Sequence, residues 1–204
     1  KKAQTWFEDT QSEDIYIKSR DGLILHAALY QNRQGNRMTA VLSHGYRSDA
    51  AFDFCLGAKL YYSLGYHILL IDHRAHAESE GKYITFGAKE RYDIVDWCNY
   101  LLMRYGKDHK FILSGMSMGS TAVILAACLQ EMSDNLVCVT ADCGFSTVYD
   151  EVLHVMKGLH IPKFPIAVFA DLIFRKTVGV GLKDFDTAVE LRKAKVPFLR
   201  HHKS

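Results

Sequence analysis

The pentapeptide GMSMG at residues 115–119 places a serine between two glycines, a spacing that suits nucleophilic chemistry. It follows the apolar run 110–114 and leads into the helical pattern 117–130. A tight turn between a strand and a helix can hold a serine in a strained conformation with its hydroxyl exposed, and the glycines let the two elements approach each other. We therefore predict that Ser117 is a nucleophile. An ordinary strand-to-helix turn is the alternative.

A serine hydroxyl is a weak nucleophile, so this prediction also requires a base, an acid that orients the base, and donors for an oxyanion. The helix after Ser117 begins with unpaired backbone N–H groups and the positive end of a helix dipole, and the N–H of Met118 is the first predicted donor. A second donor is predicted in the segment VLSHGYRSDA (41–50), where Gly45 permits a turn that aims the N–H of Tyr46 at the same point. The alternative for this segment is a simple turn before a capped helix.

The elements that must position these residues are predicted from apolar periodicity. Residues 14–20 and 23–30 alternate apolar and polar side chains around Asp21-Gly22, which predicts an antiparallel hairpin. Buried strands are predicted at 38–44, 67–72, 110–114, 136–141 and 196–199, and helices at 50–64, 88–105 and 117–130. Strands separated by helices imply an α/β fold with a doubly wound, mostly parallel sheet.

The residues that could do chemistry are predicted to lie at one edge of this sheet. In doubly wound sheets, ligands bind beyond the carboxyl ends of the strands. His44, Ser117 and Asp142 each follow a predicted strand, and so does the segment 72–79. We therefore expect a single site at this edge.

Composition limits the classes of partner and cofactor. The chain has 204 residues, 49% of them hydrophobic, which suits one domain with a substantial core. Its 25 basic and 23 acidic residues are spread along the chain, so no nucleic-acid partner is expected. No pair of histidines lies at ligand spacing beside a cysteine or carboxylate cluster, so we expect no metal and no cofactor.

The expected location is the cytoplasm. Five cysteines, an odd number without C-x-x-C spacing, are typical of reduced core residues. No stretch approaches the roughly 20 apolar residues that span a bilayer, and no signal peptide is visible. The chain begins at Lys1 without a methionine, so a membrane anchor on a missing N-terminal segment is the alternative, and membrane contact is expected only by that route.

Four ordered segments carry a resemblance to a known family. Residues 44–46 resemble the oxyanion loop of α/β-hydrolases, residues 72–81 their D-x-R-G-x-G-x-S-x-G segment, residues 115–119 their nucleophile elbow and residues 141–146 the strand end before their lid. Within that family, the chain is similar to the monoglyceride-lipase-like and serine-aminopeptidase-like hydrolases of bacteria. The similarity runs from about residue 13 to residue 199.

The segment 72–81 departs from the family pattern at two positions. Ala75 and Ala77 stand where the family usually has glycine, and alanine at a positive φ costs roughly 1 kcal/mol or more. Arg74 and His76 are expected to brace this segment by hydrogen bonding. The segment is structural in the family, so this departure does not by itself exclude activity.

The larger departure concerns the catalytic triad. The family's chain order is Ser, then Asp just past the strand that corresponds to 196–199, then His after one further strand. The chain ends at Ser204, so the triad acid and base are not in the chain, and we expect them in a missing C-terminal segment. The alternative pairs Asp142 with His201 or His202, because the ends of strands two apart are separated by roughly 10 Å.

The resemblance implies a serine hydrolase that cleaves a small-molecule carboxylic ester, acyl or lipid-like, through an acyl-enzyme. It also implies a core at residues 1–146, a helical lid insertion at 147–186 and a return to the core at 187–204. The apolar side chains of the lid would shape a hydrophobic pocket or simply pack on the sheet. The alternative function is a catalytically inactive small-molecule binding or interaction module on the same scaffold.

Overall fold

The elements of the chain are seen in a computed structural model that describes residues 4–35 and 38–201. The strands run Glu13–Lys18 (β1), Ile24–Tyr30 (β2), Met38–Ser43 (β3), His67–Ile71 (β4), Lys110–Met116 (β5), Leu136–Asp142 (β6) and Phe198–His201 (β7). The α-helices run Gln4–Asp9 (α1), Ala50–Asp53 (α2), Gly57–Ser63 (α3), Glu90–Tyr105 (α4), Met118–Ala127 (α5), Val148–Gly158 (α6), Ile166–Val178 (α7) and Thr187–Glu190 (α8), and a 3-10 turn spans Leu191–Lys193.

The strands form a single mixed sheet in the order β1-β2-β4-β3-β5-β6-β7. β1 pairs with β2, and β2 with β4, in antiparallel orientation. From β4 onward the neighbouring strands β4, β3, β5, β6 and β7 are all parallel. The predicted antiparallel opening and the mostly parallel, doubly wound sheet are therefore confirmed. Because β3, β5 and β6 are parallel neighbours, the loops that follow them emerge at the same edge.

Both faces of the sheet are covered, and this explains why its central strands are continuously apolar. Alternate side chains of a strand point to opposite faces. One face packs against α4 and α5, in a cluster that includes Val41, Leu69, Leu113, Trp97 and Val123. The other face packs against α2 and α3, in a cluster that includes Leu42, Leu70, Ile112, Phe54 and Ala58.

Two predicted elements have different bounds in the structure. The predicted helix 50–64 is two helices, α2 and α3, because the Asp53 carboxylate is bonded back to the preceding loop and Gly57 is a poor helix former. The last strand runs 198–201 instead of 196–199. Its start is delayed because Pro197 has no N–H to donate to a ladder, although its carbonyl accepts the N–H of Val139.

The segment predicted to be a lid contains α6 and α7. The two ends of this segment are joined by a backbone hydrogen bond, in which the Thr187 N–H donates to the Ser146 carbonyl oxygen at 2.9 Å. Many of its apolar side chains are exposed, including Val155, Leu159, Phe164, Val168, Phe169, Leu172 and Ile173. Its role as a lid stays a prediction.

The helices of the described ranges also bear on membrane insertion. α4 is 16 residues long and carries Glu90, Asp93 and Arg104. Within residues 4–35 and 38–201, no helix combines the length and the apolar character needed to cross a bilayer.

The packing of α5 against β3 depends on a glycine. A Cβ added at Gly119 would lie 2.0 Å from the Ser43 carbonyl oxygen and 2.6 Å from that of His44. We expect Gly119→Ala to lower the free energy of unfolding by about 3 kcal/mol or more, because helix and strand must separate. Urea unfolding followed by circular dichroism measures the change.

Gly158 provides the matched control, because an added Cβ there meets nothing within 4 Å. We expect Gly158→Ala to change stability by less than about 1 kcal/mol. Equal stability of the two variants would show that the approach of α5 to β3 is not tight.

The opposite edge of the sheet buries an imidazole. His109 precedes β5, is 3% exposed, and its Nε2 lies 2.7 Å from the Thr39 hydroxyl. Its ring also stacks on Tyr105, with 4.6 Å between the centroids. Burial lowers the pKa of His109 from 6.5 to about 4.

This depressed pKa predicts acid sensitivity. The unfolded chain takes up the proton first as the pH falls through 6.5, so the stability present above that pH is lost between pH 6.5 and 4. We expect His109 to account for a loss of about 1–2 kcal/mol between pH 7 and pH 5. Urea unfolding at both pH values should show a smaller loss for His109→Gln, and an identical loss would contradict the assignment.

Candidate active site

Ser117 occupies the turn between β5 and α5 in a conformation that few residues adopt. Its φ is 53° and its ψ is −114°, which for a serine costs about 1–3 kcal/mol. The surrounding chain holds the turn: the Ser117 N–H donates to the Asp142 carbonyl at 2.8 Å, and the Ser120 hydroxyl lies 2.6 Å from the same oxygen. The predicted helix start at residue 117 moves to Met118 for this reason.

The two glycines of the pentapeptide are required by space rather than by φ. A Cβ on Gly115 would lie 2.5 Å from the carbonyl carbon and oxygen of Gly119. Gly119 itself faces the end of β3, as described above. The strand and the helix therefore approach closely on both sides of Ser117, and the turn has the geometry of a nucleophile elbow.

The loop after β3 lies beside the elbow. A Cβ built on Gly45 would lie 3.5 Å from the Cβ of Ser117 and 3.5 Å from the Met116 carbonyl oxygen. The Gly45 N–H donates to Asp53 Oδ2 at 2.7 Å, and the Ser48 hydroxyl donates to the other oxygen of that carboxylate at 2.7 Å. Asp53 thereby ties the loop to α2.

The two predicted oxyanion donors are backbone N–H groups for which the described residues provide no acceptor. In the loop 45–48, the N–H groups of Gly45, Arg47 and Ser48 each have an acceptor within the protein. Among the described residues, the N–H of Tyr46 has none, and neither has that of Met118 at the start of α5. Met118 adjoins Ser117 in the chain, and Gly45 brings Tyr46 to the same place.

Three imidazoles form a layer below this loop. The His44 ring centroid lies 4.8 Å from that of His73 and 4.8 Å from that of His76. All three side chains are buried. Burial lowers the pKa of His44 and, more strongly, that of His73, so these two rings are neutral at physiological pH.

The segment 72–81 is braced as the sequence predicts. The Arg74 guanidinium donates two hydrogen bonds to Asp93, at 2.6 and 2.7 Å, and two to Asp21, at 2.8 and 3.2 Å. Burial raises the pKa of Asp93, and the guanidinium opposes that shift. Ala75 and Ala77 have φ values of 60° and 42°, so alanine occupies positions that favour glycine.

Aromatic side chains from three different loops meet beside the elbow. The Tyr46 ring stacks on Phe86 with 5.4 Å between the centroids, and Phe86 meets Phe145 edge-on at 6.4 Å. Phe86 has a φ of 50°, a backbone conformation that a bulky residue seldom adopts. We call these three residues the aromatic wall.

The Ser117 hydroxyl is not bonded to any of the side chains that the structure describes, and those of His201 and His202 are not among them. Asp142 accepts the Cys143 thiol at 3.1 Å, and its backbone pairs with that of His201 in the β6–β7 ladder. His202 lies outside the described residues. In the ranges 4–35 and 38–201, no group of three histidine, cysteine or carboxylate side chains is arranged to hold a metal ion.

Sequence reasoning missed Asp53 and the aromatic wall. In the sequence, Asp53 lies within the predicted helix 50–64, and the apolar periodicity of that helix does not link Asp53 to Gly45. Phe86 precedes Gly87, and a glycine indicates a turn but not its direction. Both depend on how separate loops meet.

Known proteins resemble this chain in sequence and in fold. The uncharacterized protein YqkD of Bacillus subtilis is 25% identical over 146 residues, which are 70% of this chain and 47% of YqkD. The chain thus spans about half the length of that relative. An esterase of Pyrococcus furiosus matches with a TM-score of 0.71 and 24% identity over 94% of this chain and 70% of its own. The α/β hydrolase GrgF of Penicillium matches with a TM-score of 0.59 and 15% identity over 90% and 72%.

A family profile identifies the chain more closely. The profile described as X-Pro dipeptidyl-peptidase (S15 family) matches residues 18–177. The narrower resemblance to monoglyceride-lipase-like and serine-aminopeptidase-like hydrolases stays a prediction. Because the match covers well over half of the chain, this protein belongs to the S15 family and has the α/β-hydrolase fold.

Proposed function

We propose that the protein is a serine hydrolase that cleaves carboxylic esters, acyl or lipid-like, with Ser117 as the nucleophile. The observation that carries the proposal is the strained turn at Ser117, held between β5 and α5 by glycines at both sides. Strain of this kind persists only where the surroundings enforce it, and it concentrates at functional sites. The N–H groups of Tyr46 and Met118, which have no acceptor among the described residues, support the same interpretation.

The reaction follows from this geometry. The Ser117 oxygen attacks the ester carbonyl carbon while a base takes the hydroxyl proton, and the carbonyl oxygen becomes an oxyanion. The N–H groups of Tyr46 and Met118 donate to that oxyanion. Collapse of the intermediate expels the alcohol, which receives the proton, and leaves an acyl-enzyme. Water then repeats the sequence and releases the acid.

We propose that the base and its orienting acid come from outside residues 4–35 and 38–201. The absence of a described partner for the Ser117 hydroxyl supports this. The pairing of Asp142 with His202 remains the alternative, because β7 places residue 201 beside Asp142.

The substrate proposed is a small-molecule ester with an apolar acyl part. The aromatic wall beside Ser117 offers an apolar surface, and the exposed apolar side chains of α6 and α7 offer more. The name of the Pyrococcus furiosus protein, an esterase, is consistent with this choice. Because of the same exposed apolar side chains, we propose that the segment 147–186 acts as a lid. The proposed location of the protein is the cytoplasm.

Two other functions have an observation in their favour. The description of the family favours a peptidase that releases Xaa-Pro dipeptides. The absence of a described partner for the Ser117 hydroxyl favours an inactive binding module. A dipeptidyl-peptidase must hold a charged amino terminus, and the described carboxylates that flank the elbow are those of Asp53, which accepts two hydrogen bonds from its own loop, and Asp142, which accepts the Cys143 thiol on one oxygen. We therefore rank ester hydrolysis first.

Covalent labelling tests the nucleophile. We expect a fluorophosphonate to label the natural full-length protein and Ser117→Ala to abolish the labelling. Ester turnover should fall at least about a thousandfold, because the acyl-enzyme cannot form. Ser63→Ala, which changes an exposed serine on α3, should react like the wild type. A folded wild type that is neither labelled nor active would favour the binding module.

A substrate comparison tests the bond that is cleaved. We expect Ser117-dependent hydrolysis of p-nitrophenyl butyrate and no release of nitroaniline from an Xaa-Pro p-nitroanilide. The physical reason is that, among the described residues, the carboxylates beside the elbow already accept hydrogen bonds from the protein, which weakens their hold on the peptide's ammonium group. Release of nitroaniline at a rate comparable to that of ester hydrolysis would assign the protein to the peptidases instead.

A further inference from the structure

The two peptide groups that flank Tyr46 are each held by a different imidazole. His44 Nδ1 lies 2.7 Å from the Gly45 carbonyl oxygen, which belongs to the peptide before Tyr46. The Arg47 N–H, which belongs to the peptide after Tyr46, donates to His76 Nε2 at 3.2 Å. The Tyr46 N–H between them has no acceptor among the described residues.

The bond from His44 determines where the Tyr46 N–H points. In a trans peptide, the carbonyl oxygen and the N–H lie on opposite sides of the C–N bond. His44 is fully buried, so a Gly45 carbonyl that faces its ring turns the Tyr46 N–H away from the interior. Arg47 has a φ of 52°, and its bond to His76 holds this unfavourable turn.

The backbone also determines which nitrogen of each ring carries the proton. The His73 N–H donates to His44 Nε2 at 3.2 Å, so the proton of the neutral His44 ring is on Nδ1 and is donated to Gly45. His76 repeats the arrangement: Nε2 accepts from Arg47, and Nδ1 lies 3.0 Å from the Arg74 carbonyl oxygen. A second proton on either ring would place an N–H against an N–H.

We propose that His44 and His76 are positioning residues that hold the Tyr46 N–H toward the oxyanion hole, each as a neutral imidazole protonated on Nδ1. The inference rests on the proposed hydrolase function, because it assigns these rings to the same site. Neither ring touches the substrate. Both act through the backbone, which gives the His44-Gly45 pair a role beyond that of a turn.

Burial favours the neutral form of His44, and so does the facing ring of His76, which lies across the layer beside His73. Asp72 and Asp53 act in the opposite direction on His44, but burial outweighs them and lowers the pKa of His44. The guanidinium of Arg74, in the same segment as His73 and His76, is committed to Asp21 and Asp93.

Paired substitutions in the natural full-length enzyme distinguish a positioning role of the two imidazoles from a role in filling space. His44→Asn keeps a donor near the place of Nδ1, and His76→Gln keeps an acceptor near the place of Nε2, whereas His44→Leu and His76→Leu keep neither. We expect kcat to fall about tenfold to a hundredfold in each Leu variant with KM within about twofold, because a donor is misaimed rather than removed. The Asn and Gln variants should recover most of kcat.

A control of similar bulk and burial is available at the other edge of the sheet. His109→Leu removes a buried imidazole and its bond to Thr39, so it should lower stability without lowering kcat. The positioning role would be wrong if His44→Leu and His76→Leu kept wild-type kcat. It would also be wrong if His109→Leu lowered kcat as much as they do for the same loss of thermal stability.

A measurement that needs no turnover keeps this inference distinct from the proposed function. Nitrogen-15 NMR of the histidine rings should show both His44 and His76 as neutral Nδ1–H tautomers at pH 7. The Tyr46 amide resonance should move in the two Leu variants and stay in place in the Asn and Gln variants. The opposite tautomer, or an unmoved amide, would overturn the inference, whereas correct tautomers in an enzyme without ester hydrolysis would overturn only the proposed function.

Discussion

The contact between the first turn of α5 and the end of β3 is the constraint on which the site depends. The Ser43 and His44 carbonyl oxygens lie so near to Gly119 that no side chain fits between helix and strand. This approach forces the chain to turn within a single residue, Ser117, and leaves that residue at positive φ. It also brings the loop after β3 against the serine.

A second feature lies in the loop that this contact brings against Ser117: in residues 45–48, the backbone N–H groups other than that of Tyr46 are bonded within the protein. Buried N–H groups without partners are costly, so proteins pair nearly all of them. Here Asp53, His76 and the Gly45 carbonyl take up the N–H groups of the loop 45–48 other than that of Tyr46. Among the described residues, the Tyr46 N–H is thus the one in this loop that stays available to a ligand such as the proposed oxyanion.

The loop 72–81 connects this site to the core. Its Arg74 is buried in a bidentate pair with Asp93 on α4, and removal of one partner from such a pair costs about 3–5 kcal/mol. The pair fixes the segment that carries His73 and His76. That rigid support explains how Ala75 and Ala77 persist at positive φ where glycine would be easier.

The sequence by itself determined the alternation of strands and helices, the antiparallel opening, and the place of Ser117, Tyr46 and Met118 at the carboxyl ends of parallel strands. These depend on local periodicity and on glycines, which neighbouring residues reveal. Only the tertiary structure decided the break between α2 and α3, the bonds of Asp53 and the imidazoles, and the meeting of Tyr46 with Phe86 and Phe145. Those features depend on distances between loops far apart in the chain, and no local pattern encodes such distances.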